Sequence, residues 1–134
     1  MKEALIDTDI LSYYFKGNDD VVENFNNYLT YYEKINLSII SYYEILSGLK
    51  FKDSAKYLTK FNKFVSVNNI LPLTIESIEI SSDIYSRLRK EGIIIDDIDL
   101  LIAGIAISKD LIFITNNEKH FNKITELSIM NWKN

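Results

Sequence analysis

The spacing of apolar residues changes along this chain, and each change marks an element. Ala4-Leu5-Ile6 is a short apolar run closed by Asp7, the signature of a buried strand entering a turn. Thr8 and Asp9 offer a helix cap, a weak helical segment follows over Ile10 to Lys16, and Gly17 ends it. Val21, Val22, Phe25, Tyr28, Leu29 and Tyr32 then fall on one face of a stronger helix. Lys34 to Ile40 reads as a second strand. Ser41-Tyr42-Tyr43-Glu44 has the spacing of a capping box that opens the next helix, with fraying expected at Gly48. From Asp53, the residues Tyr57, Leu58, Phe61, Phe64 and Val65 spell an amphipathic helix, and Ile70 to Thr74, around the only proline, reads as an edge strand. Glu76 to Gly92 is a helix with Ile80, Ile84 and Leu88 on its stripe and Gly92 as its stop.

The last third is apolar on every side. Leu100 to Ile107, if helical, must be a central helix covered by neighbours. Leu111 to Ile114 is a buried strand that runs into Thr115-Asn116-Asn117. Strands alternate with helices throughout, which predicts a single three-layer α/β/α domain over residues 1–134 with a mainly parallel central sheet.

Composition narrows the chemistry. The chain has 134 residues, no Cys and one His, so disulfide frameworks, zinc fingers, iron–sulfur clusters and thiol nucleophiles are excluded. Carboxylate chemistry is what remains. No apolar run reaches the length of a membrane span or a signal peptide, so the cytoplasm is the expected compartment. Fifteen basic against 19 acidic residues give a net charge of −4, which lacks the broad basic footprint of most nucleic-acid binders.

Where the acids fall is more informative than their number. In parallel α/β sheets the ligand crevice lies outside the carboxyl ends of the strands. Asp7 follows the first strand, Glu44 lies near the start of the helix after the second, and Thr115 to Asn117 follows the strand Leu111 to Ile114. Asp96 and Asp99 open the apolar helix and share a face, whereas Asp97 points about 100° away. Each acid alone has a plain structural reading: Asp7 and Asp96 as N-caps, Asp99 as a first-turn charge, Glu44 as the partner of Ser41. A cluster converging from distant positions repels itself unless a cation sits within it, and a hard divalent ion held by oxygens answers that need.

Four segments, in this order, resemble the PIN-domain ribonucleases, and most closely the VapC toxins of bacterial and archaeal toxin–antitoxin pairs. They are Asp7-Thr8-Asp9-Ile10-Leu11, Ser38 to Gly48, Gly92 to Ala103, and Thr115-Asn116-Asn117-Glu118-Lys119-His120-Phe121. The resemblance implies a metal-dependent endoribonuclease whose acidic site is formed by Asp7, Glu44 and Asp99, with Asp96 at an often acidic position and Asn117 at a fourth position. Asp7 and Asp99 would bind Mg2+ or Mn2+, and Glu44 and Asp96 would position water or accept a proton. Asn117, being neutral, orients a water or phosphate but holds a second metal poorly. Asp9 stands where the family commonly has Asn and is expected to support a turn. Thr115 is expected to hydrogen-bond within the site, positioning substrate, or to cap the turn. His120, a lone loop histidine, is read as unremarkable, with a substrate contact as the alternative.

The resemblance also implies an RNA substrate, a cognate antitoxin whose tail fills the acidic site, and a homodimer. Two other classes compete. Asp7-Thr8-Asp9 fits the nucleophilic motif of haloacid-dehalogenase-like phosphatases, although Ile10-Leu11 replaces the expected Gly-Thr pair and no later lysine stands at a strand end. A non-catalytic PIN-like or receiver-like binding module is the other, opposed by the complete set Asp7, Glu44 and Asp99.

Overall fold

The computed structural model describes residues 1–134. Its centre is a five-stranded sheet formed by β1 (Ala4–Ile6), β2 (Asn36–Ser38), β3 (Asn69–Leu71), β4 (Ile112–Ile114) and β5 (Ile129–Met130), in the spatial order β3-β2-β1-β4-β5. Every strand pairing is parallel. The helices are α1 (Thr8–Phe15), α2 (Asp19–Leu29), α3 (Ile39–Phe51), α4 (Ala55–Ser66), α5 (Ile75–Lys90), α6 (Asp97–Ser108) and α7 (Glu118–Phe121).

Strand alternation splits the interior into two cores. On β1, Leu5 faces one core while Ala4 and Ile6 face the other, and on β4, Phe113 and Ile114 divide in the same way. The first core joins Leu5 and Phe113 to Ile84 and Leu88 of α5 and to Ile102, Ala103, Ile105 and Ala106 of α6. The second joins Ile6 and Ile114 to Ile10 and Leu11 of α1, Val21, Phe25 and Tyr28 of α2, and Phe61 of α4. Helices therefore cover both faces, and the expected three-layer α/β/α arrangement is the one that forms.

Several local expectations need correction. The helix after β2 starts at Ile39, not Ser41: Ser38 is its N-cap and accepts from the Ser41 backbone N–H at 3.0 Å. The Ser41–Glu44 capping box therefore does not form. Gly48 lies inside α3, which runs on to Phe51. The box that does form joins Thr74 and Ser77 at the start of α5, where neither partner is acidic. β3 is an edge strand as expected, but it ends at Leu71, before Pro72, whose ring removes a ladder donor.

The layer of α5 and α6 depends on a close approach at Gly104. A Cβ built there would lie 2.1 Å from Ser81 Oγ and 2.5 Å from the Ser77 carbonyl oxygen, and the second of these is backbone that cannot rotate away. Ser81 is itself held, its hydroxyl donating to the Leu100 carbonyl at 2.7 Å. Gly48, also helical, has open space around it. Gly104→Ala is therefore expected to destabilise the protein by about 2 kcal/mol through overpacking. Gly48→Ala is expected to stabilise it by roughly 0.5–1 kcal/mol through helix propensity. Denaturant unfolding of the two variants checks the opposite signs.

Candidate active site

Sheet register brings the first two site residues together. β1 and β4 pair in parallel with Ile6 opposite Ile114, so the residues that follow, Asp7 and Thr115, leave the sheet side by side. The Asp7 backbone N–H still bonds to the Ile114 carbonyl at 2.9 Å, and the Thr115 hydroxyl donates to Asp7 Oδ2 at 2.8 Å. Here the strand order reverses: the chain runs outward from β1 to β2 and β3 on one side, then returns to lay β4 and β5 on the other. Such a switch point opens a crevice at the carboxyl edge.

Asp7 is also the N-cap of α1, its Oδ1 accepting from the Thr8 N–H at 2.8 Å. The plain reading and the functional one therefore describe the same carboxylate. Burial, reinforced by the Asp9 charge and less by Asp99, raises its pKa to about 7 against the opposing hydrogen bonds from Thr115 and Thr8. Asp9 lies beside it, its Oδ1 accepting from the Ile10 N–H at 2.7 Å and its Oδ2 from the Asn116 N–H at 3.1 Å, and burial raises its pKa as well. It ties the loop after β4 to the first turn of α1, a turn-supporting contact.

Glu44 reaches the crevice from α3. Thr8 Oγ1 stands 2.8 Å from both Glu44 Oε1 and Ser41 Oγ. A carboxylate only accepts and a hydroxyl carries one proton, so Thr8 donates to Glu44 and its oxygen is left to accept from Ser41. Thr8 thereby links Asp7, through its backbone, to Glu44, through its side chain. The sequence reading gave Thr8 no role beyond capping.

Asp99 sits in the first turn of α6, and Asp96 is that helix's exposed N-cap, with Oδ1 accepting from the Ile98 N–H at 2.8 Å. Burial raises the pKa of Asp99; His120 opposes the rise, while Asp96, Glu44 and Asp9 add to it. Those couplings place all the named acids within one electrostatic neighbourhood. The imidazole is the unforeseen member: His120 Nε2 lies 3.1 Å from Asp99 Oδ2. This nitrogen is buried, and although the carboxylate is within ion-pair distance the two are not aligned as a hydrogen bond, so Nε2 has no hydrogen-bond partner.

The remaining predicted residues divide. Thr115, fully buried, donates to Asp7 and accepts from the Asn117 N–H at 3.0 Å, so it bonds a site carboxylate and braces the turn after β4. Asn117 is exposed and caps α7 without a side-chain bond. Its backbone N–H is bonded to Thr115, and its exposed side-chain amide does not cap the helix.

The donor set is made of oxygens, apart from one imidazole. No three of the His, Asp and Glu side chains stand close enough to enclose an ion by themselves. Mg2+, which keeps several waters and takes one or two carboxylates, suits such a set better than a metal that needs a full cage of protein ligands.

Known proteins carry the same framework. The PIN domain family model matches residues 4–127. Ribonuclease VapC2 of Rickettsia felis is 30% identical over 129 residues, covering 96% of each chain. Ribonuclease VapC1 of Methanocaldococcus jannaschii is 33% identical over 127 residues, covering 95% of this chain and 85% of that one. Among solved structures, the crystal structure of VapBC2 from Rickettsia felis bound to a DNA fragment of its promoter superposes with a TM-score of 0.87 at 28% identity, over 97% of this chain and 98% of that one. The shared fold, the matched length and the acids at the carboxyl edge place this chain in the PIN-domain family, among the VapC ribonucleases.

Proposed function

We propose that this protein is the endoribonuclease toxin of a toxin–antitoxin pair and hydrolyses RNA phosphodiester bonds with Mg2+ or Mn2+ at the carboxyl edge of its sheet. The observation that carries this reading is the convergence of acids on the carboxyl edge, where Asp7 leaves β1 beside β4 and Asp9 bonds the loop after β4; burial raises the proton affinity of Asp7, Asp9 and Asp99, and neighbouring acids add to the rise at Asp7 and Asp99. Such crowding costs stability unless a cation offsets it. Asp7 and Asp99 are the two acids that would hold the ion. When bound, the ion lowers the pKa of the attacking water and screens the phosphate from the carboxylates.

The chain's own groups do the rest. Glu44, exposed and held by Thr8, accepts the proton that the attacking water loses as its oxygen bonds to phosphorus, while the bond to the leaving ribose oxygen breaks and that oxygen takes a proton from solvent water. Asp96, at the rim, orients water. Thr115 fixes the Asp7 carboxylate, and Asn117 offers its amide to water or phosphate.

A cognate antitoxin is the partner this reading calls for, and the solved neighbour is itself a VapBC complex. A cavity of about 590 Å3 between α1, α3 and α4, walled by Phe15, Ile45, Leu49 and Phe61 and rimmed by Lys16, Lys52 and Lys60, suits an amphipathic segment carrying acidic residues. Homodimer formation is supported by Ile75, Ile78 and Tyr85 of α5 and Ile98 of α6, all exposed. No helix is long and apolar enough to cross a membrane. We take the cytoplasm as the working compartment, where RNA and antitoxin are both available.

Asp99→Asn is expected to lower RNA cleavage by roughly 100-fold or more with the thermal midpoint unchanged or raised, and chelation of divalent ions is expected to abolish cleavage by the parent. Parental rates in that variant, on mapped cut ends of total RNA, would exclude Asp99 from the reaction.

Stability should depend on pH in a way that isolates Asp7. Its pKa is raised from 3.8 to about 7 on folding, so the folded state binds the proton more tightly. Its contribution to stability is thus complete below about pH 4 and is lost as pH rises through 7. In chelator, Asp7→Asn is expected to be more stable than the parent at pH 8, by roughly 1–3 kcal/mol, with the difference closing near pH 4. Urea unfolding of both proteins at the two pH values measures it, and parallel pH curves would show that the Asp7 charge is not the cause.

A further inference from the structure

We propose that His120 is a positioning residue for Asp99, holding the carboxylate in the orientation that presents its other oxygen to the divalent ion. The proposal rests on the reading of Asp99 as an ion ligand. His120 is the chain's only histidine, and its Nε2 is buried, has no hydrogen-bond partner and lies 3.1 Å from Asp99 Oδ2, so a small rotation of either side chain pairs them. A histidine kept for packing alone would direct that nitrogen to a carbonyl or to solvent. This one is directed at a carboxylate of the acidic crevice.

The ring is held from behind. α7 is a single turn, too short to be stable alone. It is fixed by Phe121, fully buried and edge-on to Phe113 of β4 with ring centroids 4.8 Å apart. At the other end of the same segment Thr115 grips Asp7 and accepts from the Asn117 N–H that leads into α7. One short stretch, 115–121, therefore holds both acids assigned to the ion: Asp7 through Thr115 at its start and Asp99 through His120 at its end.

An Asp side chain free to rotate must be ordered each time it binds, and an imidazole at ion-pair distance from one oxygen reduces that cost. Partners that orient ligating groups in this way typically contribute 10–100-fold in metal affinity or activity.

The test is Mn2+ binding to the full chain, followed by the paramagnetic resonance of the free ion, with thermal unfolding of each variant as the control for folding. His120→Ala is expected to weaken Mn2+ binding about 10-fold. His120→Gln, whose amide nitrogen reaches close to the place of Nε2, is expected to stay within about 3-fold of the parent. If His120→Ala does not fold, His120→Asn, too short to reach Asp99, takes its place with the same expectation. In cleavage at saturating Mn2+, kcat should fall while KM for RNA changes little. Unchanged or tighter binding in His120→Ala overturns the proposal, since the imidazole would then be neutral to the ion or competing with it. Asp99→Asn separates the two readings: parental Mn2+ affinity in that variant overturns Asp99 as a ligand and, with it, any group said to position it. Loss of binding there with parental binding in His120→Ala overturns the role of His120 alone.

Discussion

Asp7 stands at the end of a strand flanked on both sides by parallel neighbours, and the carboxyl edge of the sheet draws it out of water. Desolvation is the largest influence on its proton affinity, larger than the repulsion from Asp9. A buried carboxylate must be satisfied by donors that the fold supplies. Thr8 and Thr115 are those donors, one on each flanking connection. Moving either would leave a buried oxygen unpaired, so the start of α1 and the end of β4 are fixed relative to each other by the need to house one acid.

The other acids follow the same economy: Asp7 and Asp96 cap helices, and Asp9 pins a loop to α1. Each role engages some of a carboxylate's lone pairs and leaves others, since two oxygens offer about four acceptor sites. A structural use and a chemical use are therefore compatible in one residue. The unfavourable part is the sum of the charges, which a bound cation would relieve.

Seen this way, the net charge of −4 has a different meaning from the one composition alone suggests. Asp7, Glu44, Asp96 and Asp99 account for four negative charges, which leaves 15 basic residues against 15 acidic ones. Several of the cations are already engaged: Arg87 pairs with Glu126, and Arg89 lies over the Tyr85 ring. A surface balanced in this way binds polyanions weakly and with marked salt sensitivity. Selection of a substrate then falls to the site and to the shape of the RNA presented to it.

The order of strands and helices was legible because burial imposes a period: Ala4 to Ile6 and Leu111 to Ile114 are apolar without interruption because both faces of a parallel strand are covered, and Leu100 to Ile107 because α6 lies between α5 and the sheet. Asp7, Glu44, Asp96 and Asp99 were legible for a related reason, since their distance from the strand ends can be counted along the chain. Which serine capped α3 was not legible, because Ser38 and Ser41 both offer a hydroxyl and only the path of the backbone out of β2 decides which one reaches an unpaired N–H. Nor was His120: its meaning lies in Asp99, a neighbour only because β4 returns beside β1 and swings α7 against the start of α6. Local order along the chain follows from local burial and can be read there, whereas the pairing of distant polar groups depends on register and crossing, which exist only once the sheet has formed.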